Sequence, residues 1–335
     1  MKKYNVAIVG ATGMVGRMFL KVLEERKLPV TQYYLFASAK SAGTKVSFMG
    51  KDHTIIELNE KNIKERRIDY ALFSAGGSVS KEYAPVFAAQ GATVIDNSSC
   101  WRMDPDVPLV VPEVNPKALD EIKKGIVANP NCSTIQAVVA LAPLHKKFKI
   151  KRIVYSTYQA TSGAGQQGYE DLIEGVKGNP PKKFPHPIFG NLIPHIDVFC
   201  PDGYTKEEHK MMDETRKILS APELKITATT VRVPVFHGHS ESINLEFKKP
   251  CDASSLRETL SKGKGIVIRD NVAANEYPMP LYAEDKDEVF VGRIRVDDSV
   301  KSGANLWVVA DNIRKGAATN AVQILQLLIK NNKKA

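Results

Sequence analysis

No apolar run in the 335 residues approaches the ~18 that a helix needs to cross a membrane. Cysteine is scarce: Cys100, Cys132, Cys200 and Cys251 stand apart, with no CxxC pair and no histidine at metal-ligand spacing. That scatter argues against a disulfide framework, and no metal site is expected, so a working cysteine should be a nucleophile. The start, Met1-Lys2-Lys3-Tyr4-Asn5-Val6, enters a strand-like run without a signal-peptide layout, which points to the cytoplasm or to a removed transit peptide. Internal repeats and low-complexity tracts are missing too. The formal charge is +10, yet the basic residues neither cluster with aromatics nor line one helix, so no nucleic-acid partner is expected. A phosphorylated substrate and cofactor would use part of that charge. The length exceeds what one hydrophobic core usually serves, and about two domains are expected.

What is present begins with Asn5-Val6-Ala7-Ile8-Val9, which leads through Gly10-Ala11-Thr12-Gly13-Met14-Val15-Gly16 into residues apolar at helical spacing as far as Arg26. A strand, a glycine-rich turn and a helix form the phosphate-binding opening of a dinucleotide fold, here in a GxxGxxG variant. The second strand, 33–36, ends in Ala37-Ser38-Ala39-Lys40-Ser41, with no carboxylate to hold a ribose hydroxyl. Lys40 and Ser41 supply instead a charge and a donor for a 2′-phosphate, so NADP is expected over NAD. A third strand, 70–73, ends in the small residues Ser74-Ala75-Gly76-Gly77, which let a ligand come close; a helix over 81–90 and a strand over 93–96 follow. Such alternation predicts a parallel α/β sheet with its ligand at the carboxyl ends of the strands.

Gly125-Ile126-Val127-Ala128 then stops at Asn129-Pro130, and a helical pattern starts near Thr134, leaving Cys132 at the turn. Ser133 or Thr134 can cap that helix, and its free N–H groups and macrodipole would favour thiolate over thiol. Backbone N–H groups after Cys132 are candidate oxyanion donors. The stretch alone fits a buried apolar cysteine equally well. Strands over 150–159, 225–235, 242–247, 289–295 and 305–311 predict a mixed or antiparallel sheet with helices on one face. A helix is expected over 205–219. Residues 175–203, rich in Pro, Asn and Gly, make a long connection, either functional or an interface arm. The amphipathic helix over 317–329 should pack back on the first domain. His237 and His239 lie two apart in a strand-like stretch, and their spacing does not separate them.

Read in order, several segments make the chain closely resemble the aspartate-β-semialdehyde dehydrogenase family along essentially its whole length. They are the turn from Gly10 to Gly16, Asp96-Asn97-Ser98-Ser99 with Arg102, Val110-Val111-Pro112-Glu113-Val114-Asn115, Asn129-Pro130-Asn131-Cys132-Ser133-Thr134, Ser156-Thr157-Tyr158-Gln159-Ala160, Ser162-Gly163-Ala164-Gly165, Arg232 through His239-Ser240, and Trp307-Val308-Val309-Ala310-Asp311-Asn312. The resemblance implies a Rossmann-like dinucleotide-binding domain, 1–132 with 316–335, and an α+β catalytic and dimerisation domain of the glyceraldehyde-phosphate-dehydrogenase-like type, 133–315. It implies NADPH-dependent reduction of L-aspartyl-4-phosphate to L-aspartate-4-semialdehyde through a cysteine thioester, a step towards lysine, methionine and threonine.

By match of motif, Cys132 is the nucleophile, His239 the acid/base group and Gln159 a residue that orients the intermediate. Arg102 and Lys210 would bind phosphate, Glu207 and Arg232 the amino and carboxylate ends of the substrate, with Asn131 beside them. The cofactor would meet Gly10, Thr12, Gly13, Met14, Val15, Lys40, Ser41, Ser74, Gly76, Ser162, Gly163 and Asn312. A homodimer acting on a small molecule, away from membranes, is implied. Another acyl-phosphate reductase, such as N-acetylglutamyl-phosphate reductase, or a non-catalytic dinucleotide sensor would share much of this pattern.

Overall fold

The computed structural model describes residues 3–332. In chain order the first elements are β1 (Tyr4–Val9), α1 (Met14–Arg26), β2 (Val30–Ala37), β3 (Lys45–Phe48), β4 (Lys51–Thr54), β5 (Ile56–Glu57), α2 (Glu60–Lys64), β6 (Tyr70–Phe73), α3 (Gly77–Ala89), β7 (Thr93–Asp96) and β8 (Ile126–Ala128). Then come α4 (Cys132–Phe148), β9 (Ile150–Gln159), α5 (Gln166–Val176), α6 (Lys206–Ile218), β10 (Lys225–Arg232), β11 (His239–Phe247), α7 (Ala253–Ser261), β12 (Ile266–Ile268), α8 (Pro280–Ala283), β13 (Val289–Asp297), β14 (Gly303–Ala310) and α9 (Thr319–Asn331).

Two compact units divide the chain, Met1–Pro130 with Ala317–Ala335 and Asn131–Gly316. This division falls two residues before the expected boundary after residue 132. Asn131 and Cys132 open α4, and α4 packs on α6, α7 and the strands of the second unit.

In the first unit six strands run parallel in the order β5-β2-β1-β6-β7-β8. Every residue of β6 and β8 is buried, as befits a parallel sheet covered on both faces. Helix α9 lays Ala321, Val322, Leu325 and Ile329 into the same core as Phe19 and Leu23 of α1, the place its amphipathic pattern requires. Two features differ from the sequence reading. Helix α3 starts at Gly77, four residues before the expected 81, and β3 and β4 form an unforeseen hairpin. Its two-residue turn, Met49 and Gly50, has φ of 53° and 70°, the left-handed pair that matches strand twist.

The second unit holds a mixed sheet in the order β10-β9-β11-β14-β13-β12, antiparallel in the middle and parallel at both ends. Residues 175–203 are ordered by their own contacts. The Asp171 carboxylate accepts the N–H groups of Lys182, Lys183 and Phe184, each at 2.8 Å. Phe184 packs on Leu172, Ile188 and Ile193, and Ile193 bridges Arg232 in antiparallel fashion, so the connection ends beside the chemistry described next.

Candidate active site

Cys132 is the first residue of α4, and the cap before it is Asn131. The Asn131 Oδ1 accepts the N–H groups of Ser133 (3.0 Å) and Thr134 (3.3 Å). Neither Ser133 nor Thr134 is therefore the cap, because the helix starts before them and their amides are among the orphan donors of its first turn. Those amides are also not the expected oxyanion donors, since Asn131 already occupies both. The N–H of Asn131 in turn donates to Glu214 Oε2 at 2.7 Å. Cys132 keeps its place at the positive end of a 17-residue helix, which stabilises a thiolate. A side chain at Gly316 would come within 2.9 Å of the Cys132 Cβ, so a glycine there keeps the surroundings of Cys132 open.

The second group is His239, fully buried, with Nε2 3.1 Å from Cys132 Sγ. Its Nδ1 accepts the N–H of Ala160 at 3.0 Å, so in the neutral ring the proton sits on Nε2 and points at the sulfur. Burial, reinforced by the Arg232 charge, lowers the pKa of His239 to about 3, and the ring is neutral at working pH. Geometry separates the two histidines. Gly238 has φ of 86°, which breaks the strand before β11, and His237 turns away to lie 3.8 Å from Glu284. Asn312, from the expected cofactor set, accepts the N–H of Gly238 (2.9 Å) and donates to Ser162 Oγ (3.0 Å), which holds the His239 backbone. Gly163 presses on the same ring: a Cβ there would be 2.9 Å from Arg232 Nη1 and 3.1 Å from His239 Cε1.

Glu207 joins the remaining groups. Its Oε1 accepts Asn131 Nδ2 (2.9 Å) and Gln159 Nε2 (3.1 Å), and its Oε2 accepts Lys210 Nζ (3.1 Å). Burial alone would raise its pKa, but the Lys210 charge and these donors bring it down to about 2. The neighbouring Glu208 is held elsewhere, in the capping box with Thr205 and by the N–H of Thr230. Lys210 also reaches Asp197 at 2.7 Å. Arg232, 5% exposed, donates Nη1 to Ala160 O (2.6 Å) and lies 5.7 Å from the Phe184 ring centroid. Its Nε has no partner among the described residues, an unusual state for a buried guanidinium and one that suits an incoming anion.

In the first unit the glycine turn has the form that a dinucleotide requires. Gly10 has φ of 84°, and a Cβ on it would meet Ser74 O at 2.3 Å; one on Gly16 would meet Gly10 O at 2.0 Å. Helix α1 starts after Gly13 with no side-chain cap, and α3 likewise after Gly76, where a Cβ would find open space. The amides of Thr12 to Val15 and the approach past Ser74 therefore fit a pyrophosphate at a helix N-terminus. Lys40 is exposed in the turn after β2, and Ser41 is half-buried with its N–H on Ser38 O. Arg102 is buried at the carboxyl edge of the sheet, where Nε donates to Asn129 O (3.0 Å) and Nη2 to Asn97 O (2.9 Å).

Comparison with known proteins shows the family. Residues 5–122 match the family model for the semialdehyde dehydrogenase NAD binding domain, and residues 141–315 that for the semialdehyde dehydrogenase dimerisation domain. Aspartate-semialdehyde dehydrogenase of Aquifex aeolicus is 59% identical over 98% of each chain. The crystal structure of aspartate semialdehyde dehydrogenase II from Vibrio cholerae complexed with ASA superposes with a TM-score of 0.93 at 45% identity, covering 98% of this chain and 99% of that one. The Candida albicans enzyme with NADP gives a TM-score of 0.78 at 26% identity over 99% of both chains. The chain belongs to the aspartate-semialdehyde dehydrogenase family.

Proposed function

We propose that this chain reduces L-aspartyl-4-phosphate to L-aspartate-4-semialdehyde and phosphate with NADPH, and runs the reverse reaction when supplied with its products. The observation that supports this best is the contact of Cys132 Sγ with a neutral, Nε2-protonated His239 at the start of α4. Cys132 enters as thiolate, stabilised by the Nε2–H, the helix N-terminus and the Arg232 charge. Its sulfur attacks the acyl carbon, the S–C bond forms, the C–O bond to phosphate breaks, and phosphate leaves a thioester behind. A nicotinamide cofactor held by the turn from Gly10 to Val15 would supply the hydride that reduces that thioester. At each tetrahedral stage the His239 Nε2–H donates to the negative oxygen, and collapse returns thiolate to Cys132 as the aldehyde leaves.

Arg232 Nε suits the substrate α-carboxylate. Glu207, with one lone pair left on Oε2, suits the ammonium group, while its bonds to Gln159 and Asn131 hold both side chains in place beside Cys132. Arg102 and Lys210 serve phosphate. The exposed Leu281 and Tyr282, 73% and 64% accessible, favour the homodimer that the dimerisation-domain match suggests, in the cytoplasm. The test is NADP reduction with aspartate semialdehyde: the rate should depend on added phosphate, and N-acetylglutamate semialdehyde should not replace the substrate. A phosphate-independent rate, or equal use of the two aldehydes, would overturn this reading.

A further inference from the structure

Outside the site, the described residues contain one group of metal-ligating side chains. The Sγ of Cys200, a carboxylate oxygen of Asp202 and a ring nitrogen of His209 all lie within 4.8 Å of one another. Sequence spacing hides this group, because eight residues separate Cys200 from His209 and no familiar motif spans them.

The fold brings them together in three ways. Phe199 and Thr205 form an antiparallel bridge, and Cys200 N donates to Tyr204 O at 2.7 Å, closing a tight hairpin over 199–205. The hairpin runs directly into α6, whose fourth residue is His209. Asp202 Oδ1 accepts the N–H of Tyr204 (3.2 Å), which leaves Oδ2 facing His209 Nε2 at 3.0 Å. Tyr204, whose ring centroid lies 5.8 Å from that of His209, has its hydroxyl bonded to Thr227 at 2.8 Å. Scaffold bonds thus set two of the three donors, and all three side chains remain within reach of solvent.

We propose that Cys200, Asp202 and His209 form a divalent-metal site of zinc type, whose occupation clips the hairpin to α6. A thiolate, an imidazole and a carboxylate are the donors that zinc prefers, and three protein ligands leave a fourth position for water. Bonds of about 2.0 to 2.3 Å place tetrahedral ligands roughly 3.3 to 3.7 Å apart, so a pair at the 4.8 Å limit would close by about 1.5 Å at most, while the Asp202–His209 pair at 3.0 Å would open slightly. Binding replaces the thiol proton of Cys200, which leaves to solvent. His209 moves its ring proton to Nδ1 and gives Nε2 to the ion, with no net change in its charge. The site also touches the enzyme's chemistry indirectly. Asp197, three residues before Cys200, pairs with Lys210, the residue after His209.

The test uses cobalt(II) as a spectroscopic stand-in for zinc. Because Cys132 and His239 form a second thiol–imidazole pair, the parent protein is Cys132→Ser. One equivalent of cobalt should give tetrahedral d–d bands with a thiolate-to-cobalt charge-transfer band, and zinc should bleach both. Cys200→Ser in that parent should lose the charge-transfer band, and His209→Gln should lose tight binding. Far-ultraviolet circular dichroism checks that both variants are folded. Zinc should also raise the melting temperature of the parent and leave both variants unmoved. A parent without the charge-transfer band, or a band that survives Cys200→Ser, would overturn the proposal. So would equal zinc stabilisation of parent and variants.

Discussion

Replacing His239 by asparagine and by glutamine separates its two nitrogens. In asparagine the side-chain amide falls where Nδ1 stood, so its oxygen can still accept the Ala160 N–H, but nothing reaches Cys132. In glutamine the amide extends to the position of Nε2 and can donate to the sulfur and to the oxyanion, while Ala160 N–H loses its 3.0 Å partner in a buried place. A missing oxyanion donor costs about 10²- to 10³-fold in kcat. An unpaired buried amide costs about 1 to 3 kcal/mol of stability. His239→Asn should therefore be nearly as stable as the parent and lose about 10²- to 10³-fold in kcat. His239→Gln should melt earlier and keep at least about tenfold more activity than His239→Asn. Urea unfolding and the phosphate-dependent assay read both quantities. If the two variants were equally inactive, His239 would be acting as a base through an unprotonated Nε2, and the tautomer argued from Ala160 would be wrong.

Other outcomes follow from the same geometry. His237→Asn, whose ring lies 3.8 Å from Glu284 and away from Cys132, should leave kcat almost unchanged. Gly163→Ala pushes a methyl group against Arg232 and His239 and should lower kcat by about tenfold to a hundredfold while the melting temperature changes little; an unchanged kcat would remove Gly163 from the site. Lys40→Glu should reduce kcat/KM for NADP by about tenfold or more and spare NAD, because hydrogen-bonded ionic contacts reach ~1.5 to 3 kcal/mol; equal losses with both cofactors would refute the 2′-phosphate assignment. The folded-state pKa of His239, about 3, lies below the unfolded value near 6.5, so the unfolded chain binds more protons between them. Stability is complete above about pH 6.5 and falls by up to about 1.4 kcal/mol per unit as pH drops towards 3. Urea midpoints should show that slope flattened in His239→Asn, whereas parallel curves would contradict a neutral buried ring.

The parallel sheet was legible because β1, β6, β7 and β8 are short apolar runs punctuated by glycine and small residues, and burial on both faces leaves no other pattern. Cys132 stood out for the same reason, at the turn between such a run and a helix. The cap was misread because a capping residue depends on where the helix begins. With Cys132 already helical, Ser133 and Thr134 become donors, and Asn131, assigned to substrate, becomes the acceptor. The β11 start at His239 rather than 242 was hidden by polarity: His239, Ser240 and Glu241 are all buried, so hydropathy marks as surface what belongs to the site. Gly316 and Glu214 carried no signal at all, since their role lies in contacts with Cys132 and Asn131 across 184 and 83 positions of sequence. Asn312 and Ser162, expected on the cofactor, bond to one another, and Asn312 also accepts the Gly238 N–H, a use that only the fold reveals.

The covalent role of Cys132 is tested most directly by one turnover without phosphate. Enzyme mixed with aspartate semialdehyde and NADP in phosphate-free buffer can complete hydride transfer but cannot release the acyl group. A burst of one NADPH per Cys132 is expected and, on intact-protein and peptide mass spectrometry, one aspartyl group on the peptide that contains Cys132. Both should disappear in Cys132→Ala, and added phosphate should remove the adduct and restart turnover. An enzyme that turns over with phosphate yet gives neither burst nor adduct without it would contradict the thioester and, with it, the role assigned to Cys132.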